Sequence, residues 1–235
     1  MRKDTQRRHA AYTRVNAVCN EHSAILDATP GGQKTRTALG AYLAEDARLF
    51  GEEAKAIEDL RASSAERAAA RRTLNAALKG VVRVGKLVDL DEITMDTMRI
   101  PRAAGDDEMI AYARGLLTRV SPYADAFVAE GMPPDNLKTL DASIQSLAAA
   151  RDAQTVARQR YAVAMASIRE TQARANKTVK ALEGIALNTP AANPDFVAKL
   201  RNARRVGPQA DRKTKPEPDP KPEPTPTPAP SSTTP

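Results

Sequence analysis

The chain has 235 residues, a formal net charge of +7, 41% hydrophobic and only 3% aromatic residues, and no tryptophan. Length alone allows one large domain or two small ones, and a core of Ala, Leu, Val and Ile suits layers of helix on helix better than a sheet sandwich. The single cysteine, Cys19, excludes an intrachain disulfide, and no run approaches 18 apolar residues, which excludes a membrane-spanning helix.

The polar N-terminus is followed by no apolar core of a signal peptide, so the sequence reads as cytoplasmic. The first predicted helix runs from about Lys3 to Ala28, with Tyr12, Val15, Cys19, His22 and Leu26 in its apolar stripe. Pro30-Gly31-Gly32 reads as the turn that closes it. A second helix starts near Lys34 and reaches Leu90 without a proline, keeping a 3-4 spacing through Leu43, Asp46, Phe50, Glu53, Ile57, Leu60, Ser64, Arg67, Arg71, Leu74, Leu78, Val81, Gly85 and Val88. Ser63-x-x-Glu66 has the form of a capping box, but the register runs through Ser63-Ser64 unbroken, which favours one continuous helix, with a kink there as the alternative.

Residues 91–105 form an acidic connector whose Ile93, Met95, Met98 and Ile100 are expected to pack along the body. Asp106-Asp107-Glu108 then opens a third helix carrying Met109, Ala113, Leu116, Val120, Tyr123 and Phe127, broken at Ser121-Pro122 and capped by Gly131. Pro133-Pro134-Asp135 leads into a fourth helix, free of proline to Thr189 and containing only Gly184 as a breaker. Its stripe includes Leu137, Leu140, Ile144, Leu147, Arg151, Gln154, Arg158, Tyr161, Met165, Ile168, Gln172, Ala175, Val179 and Leu182. A short basic helix follows over 194–206, with Asn193 as its cap and Phe196, Val197, Leu200 and Ala203 inward. From 208 to 235 the chain is proline-rich, with X-Pro alternation from Pro216 to Pro230, and reads as a disordered tail of polyproline II character.

The expected fold is therefore all-α: an elongated four-helix bundle of two antiparallel hairpins, short-long-short-long, over 1–207. A shift of 101 residues lays 106–189 on 1–90, with Val15 on Leu116, Leu26 on Phe127, Leu39 on Leu140, Leu78 on Val179 and Val81 on Leu182, as an ancient duplication would.

The candidate sites are few. Cys19 and His22 share a helix face at a metal-ligand spacing, but the only other histidine is His9, so a core cysteine beside a hydrogen-bonded histidine accounts for them better. The Glu-x-x-His pairs of di-iron bundles are absent from the sequence. Pro30 to Thr35 lacks the glycine spacing and the preceding strand of a phosphate loop. Glu52-Glu53 and Asp106-Asp107 are adjacent pairs that diverge on a helix. If the long helices face each other, Asp46 and Glu53 are expected to meet Arg151 and Arg158, as an ion network fixing register or as a cavity for an anion; the third option is that these residues face water beside the short helix. No catalytic, cofactor or metal residue is assigned. The sequence reads as a non-enzymatic interaction or scaffold protein with a protein partner or self-association. The alternatives are a nucleic-acid-associated protein, using the basic ends around Arg2, Lys3, Arg7, Arg8 and Arg14 and around Lys199, Arg201, Arg204 and Arg205, and an unrecognised enzyme or anionic-ligand binder.

Overall fold

The computed structural model describes residues 2–88, 98–101, 104–189 and 194–206. All regular structure there is helical, and no described helix is long and apolar enough to cross a membrane. The helices are α1 (Arg2–Glu21), α2 (Ser23–Asp27), α3 (Pro30–Gly85), α4 (Asp106–Val120), α5 (Ala124–Ala129), α6 (Asn136–Asn188) and α7 (Pro194–Arg204), with a 3-10 turn at Ser121–Tyr123 between α4 and α5.

Several boundaries follow from local chemistry. The first predicted helix ends at Glu21 and resumes after His22, so its last turn is the separate α2. Pro30-Gly31-Gly32 is not the turn before the long helix but its first turn. Thr29 is the cap, its hydroxyl accepting from the Gly32 amide at 3.1 Å, and Pro30 takes the first helical position, where its missing N–H costs no hydrogen bond. Gly32 is required there, because a Cβ would lie 2.1 Å from the Leu26 carbonyl oxygen. The helix continues through Ser63-Ser64 as its register predicted: α3 is helical without interruption, and both hydroxyls donate to the Leu60 carbonyl instead of capping a new helix. α3 ends at Gly85, short of Leu90, which lies outside the described residues along with Ile93, Met95, Asn193 and the tail from 208. The break at Ser121-Pro122 and the Gly131 cap are found as expected. Gly131 has φ +88°, and the Met132 amide donates to the Phe127 carbonyl at 3.0 Å.

α3 and α6 pack against each other antiparallel along most of their length, about 80 Å each at about 1.5 Å per residue. Their register is fixed by contacts at well-separated heights: Asp46 meets Gln172, Ser64 meets Gln154, and Gly80 lies beside Asn136. Burial recurs every seven residues, at Leu39, Asp46, Glu53, Leu74 and Val81 of α3 and at Leu140, Leu147, Gln154, Ile168, Ala175 and Leu182 of α6. The second seam of α3 is Leu49, Ala56, Ser63 and Ala70. This differs from the predicted stripe, which placed the larger Phe50 and Ile57 inward. Both are only partly buried.

The short helices occupy opposite ends of this pair. α1 packs on α3, α6 and α7 and, with α2 and α7, closes an apolar cluster around Val15, Cys19, Leu26, Leu39, Val179, Leu182 and Phe196. α4 packs on α6 at the other end, where Leu74, Leu78, Leu116, Val120, Phe127 and Leu140 are among the buried residues. Met98 closes that end: its sulfur sits where a Cβ on Gly85 would be, 2.8 Å away. Among the described residues, only Leu49, Met165 and Ile168 form a cluster between the two ends, with Phe50 and Tyr161 against them.

Candidate interaction surfaces

Both short helices stand on the same side of the long pair. His9 of α1 meets Asp46 and stacks edge-on against Phe50, and Asp106 of α4 meets Arg67 and Arg71. Phe50, Ile57, Ser64, Arg71, Leu78 and Gly85 follow one another at seven-residue steps, so they lie along one side of α3. The first turns of α1 and α4 both reach the middle of the pair, and each is anchored by a polar cluster. At α1, His9 Nδ1 lies 2.8 Å from Asp46 Oδ2, and the Gln172 amide donates to the same oxygen at 3.2 Å and to the Thr5 carbonyl at 2.9 Å. At α4, Asp106 accepts from Arg67 and from Arg71, the latter at 2.7 Å, and Arg71 also donates to the Ala104 carbonyl. Arg67 donates to Gln154 at 2.6 Å, and Gln154 donates to Ser64 at 2.8 Å. Burial would push the Asp106 carboxyl up, but the Arg67 hydrogen bond and the charges of Arg67 and Arg71 outweigh it, and the group is held below its ordinary value.

The predicted seam ion pairs are corrected by this register. Asp46 pairs with His9 and Gln172, Arg151 with Asp107 and Asp152, and Glu53 is buried at the height of Met165. Asp46 and Glu53 stand at different heights from Arg151 and Arg158 in this register, so the four do not meet as predicted. Gln154, in contrast, is a buried seam residue as expected, and Glu52 and Glu53 diverge, one outward and one inward.

Cys19 is fully buried, and burial pushes its thiol up to about 11, which leaves it protonated at neutral pH. His22 is not hydrogen-bonded as expected. Its ring lies against Phe196, centroids 4.7 Å apart, and its Nε2 has no hydrogen-bond partner among the described residues. No group of three or more His, Cys, Asp or Glu among the described residues is gathered as a metal would need.

The two basic stretches, remote in sequence, come together. α7 packs beside α1, and the Arg14 guanidinium donates to the Arg205 carbonyl at 2.9 Å. Part of this charge is neutralised locally: Glu183 binds Arg201 and Arg204, Asp195 binds Lys199, and Asp4 lies 3.7 Å from Arg7.

The opposite side of the long pair is uncovered. A groove runs between α3 and α6, floored by Ala56 and Ala164 in the middle and by Ala70 and Ser143 further along. Its α3 bank carries Glu52, Asp59 and Glu66, which continue at seven-residue steps from Glu45. Its α6 bank carries Arg160 and two exposed valines one heptad apart, Val156 at 45% and Val163 at 65% exposure. The acidic row was visible in the sequence as four acids spaced by seven. Its partner bank was not, because the groove depends on the register of α3 against α6.

No protein-family model matches the chain, and no curated protein or solved structure is detectably similar to it.

Proposed function

We propose that this is a non-enzymatic interaction protein, an antiparallel coiled-coil scaffold that presents the uncovered face of α3 and α6 to a protein partner. The observation that carries this reading is the pair Val156 and Val163. Other strongly exposed large apolar side chains, such as Leu87 and Leu187, lie at or near helix ends, whereas these two lie mid-helix on one groove. The scaffold itself is read as a duplicated helical hairpin. In support, Val15 and Leu116, Leu26 and Phe127, Leu39 and Leu140, Leu78 and Val179, and Val81 and Leu182 are all buried pairs at the 101-residue shift. Arg71 reaching the Ala104 carbonyl also mirrors Gln172 reaching the Thr5 carbonyl.

Substituting Val163→Glu tests the reading, because an exposed position tolerates the change while the face is lost. The variant is expected to keep its thermal midpoint within about 2 °C and to lose the partners that the wild type captures from its host. Retention of all of them would refute it.

The basic convergence of α1 and α7 supports a second reading, association with nucleic acid. It requires binding to random duplex DNA that weakens steeply between about 50 and 200 mM salt, and Arg8→Ala with Arg14→Ala should reduce that slope.

A further inference from the structure

Resting on the interaction reading, we infer that the occupant of the uncovered α3/α6 groove is a second copy of this chain, docked back to back so that α3 of each copy lies over α6 of the other. The charges select this arrangement. The α3 bank is acidic at Glu52, Asp59 and Glu66, with Lys55 set between them, and the α6 bank offers Arg160 and no acid along the same stretch of groove. Asp59 and Arg160 face the groove from opposite banks, and no described residue pairs with either of them. Stacking α3 on α3 would set the acidic rows against each other.

A twofold axis parallel to the long helices leaves every residue at its own height. The register that joins Ser64 to Gln154 brings Asp59 level with Arg160, so the twofold sets Asp59 of one copy level with Arg160 of the other, twice. Val163 of each copy then falls at the height of Lys55 of the other, whose aliphatic stem can cover it, between Glu52 and Asp59, which would repel a carboxylate introduced at 163. The floor residues Ala56, Ala70 and Ala164 let the two layers approach closely.

The size is sufficient. The groove follows α3 from Glu52 to Thr73, about 30 Å at about 1.5 Å per residue, and is two helices of about 10 Å wide. That gives about 600 Å² per copy and about 1,200 Å² in all, the lower end of specific protein interfaces. The short helices stay clear of the contact, since α1 and α4 stand on the other side.

Sedimentation equilibrium of the full chain at about 1 to 100 µM tests the proposal. The expected species at the upper end has twice the 25.3 kDa chain mass. Val163→Glu should raise the dissociation constant at least about tenfold. Asp59→Arg and Arg160→Asp should each weaken the dimer, and the two together should recover most of the loss, because the exchanged charges still meet across the axis. A chain that stays monomeric at 100 µM overturns the proposal but leaves the interaction reading standing if Val163→Glu still abolishes capture of a different partner. A dimer insensitive to Val163→Glu, or one the double charge exchange does not restore, places self-association elsewhere and also overturns it.

Discussion

The two ends of the long helix pair and its middle are built on different terms. At the ends a second layer covers one side, and leucines, valines and phenylalanines are fully excluded from water. In the middle α3 and α6 meet almost alone, the seam narrows to Ala56, Ser63, Ala157 and Ala164, and valines are left outside. The difference separates two jobs within one pair of helices. On the proposed interaction reading, the ends hold the fold and the middle displays a face.

The largest expected effect breaks that comparison most readily. Leu78→Ala at one end or Leu182→Ala at the other removes a fully buried side chain, at a cost of about 2–5 kcal/mol in urea unfolding. Ile57→Ala in the middle, where the side chain is half-buried, should cost less than about 1 kcal/mol. Equal costs would show that the middle contributes to stability as the ends do.

Next is the charge cluster that anchors α4. Asp106 is buried and its carboxyl is held low, so its contribution to stability is present above the ordinary carboxylate value near pH 4 and is lost as pH falls through the depressed value. Asp106→Asn should cost about 1–3 kcal/mol at pH 7 and flatten the loss of stability on acidification below about pH 4. An unchanged acid limb would mean that other carboxylates govern it. A smaller effect concerns the corrected seam. A double-mutant cycle between Asp46 and Arg151 should show coupling below about 0.5 kcal/mol, whereas Asp46 and Gln172 should couple by more than that. The smallest is chemical: a thiol reagent should leave Cys19 unmodified in the native protein at pH 7 and react fully in denaturant.

Much of the ends was legible in the sequence and the middle was not. Leu74, Leu78, Val81, Leu140, Val179 and Leu182 are large, apolar and correctly spaced, and all are buried. In the middle the same logic chose Phe50 and Ile57 over Leu49 and Ala56. Two helices that pack without a third come close together, and closeness favours the small side chain in the seam while the large one turns to the flank. Pro30 was read by its power to break helices, although its fixed φ equally suits a first turn. The ion pairs failed for a related reason: a stripe predicts which side of a helix faces inward, but not the height at which it meets its neighbour. The acidic row of the groove could be counted in the sequence, yet only the register of α3 against α6 sets Asp59 across from Arg160.

Hydrogen exchange by mass spectrometry, run on the wild type and on Val163→Glu at about 50 µM, tests the division between ends and middle most directly. The account predicts that the substitution speeds exchange in the middle of α3 and α6, around Glu52 to Glu66 and Gln154 to Ile168, and leaves α1, α4 and the helix ends unchanged. Faster exchange spread evenly to the ends, or no change in the middle, would contradict it.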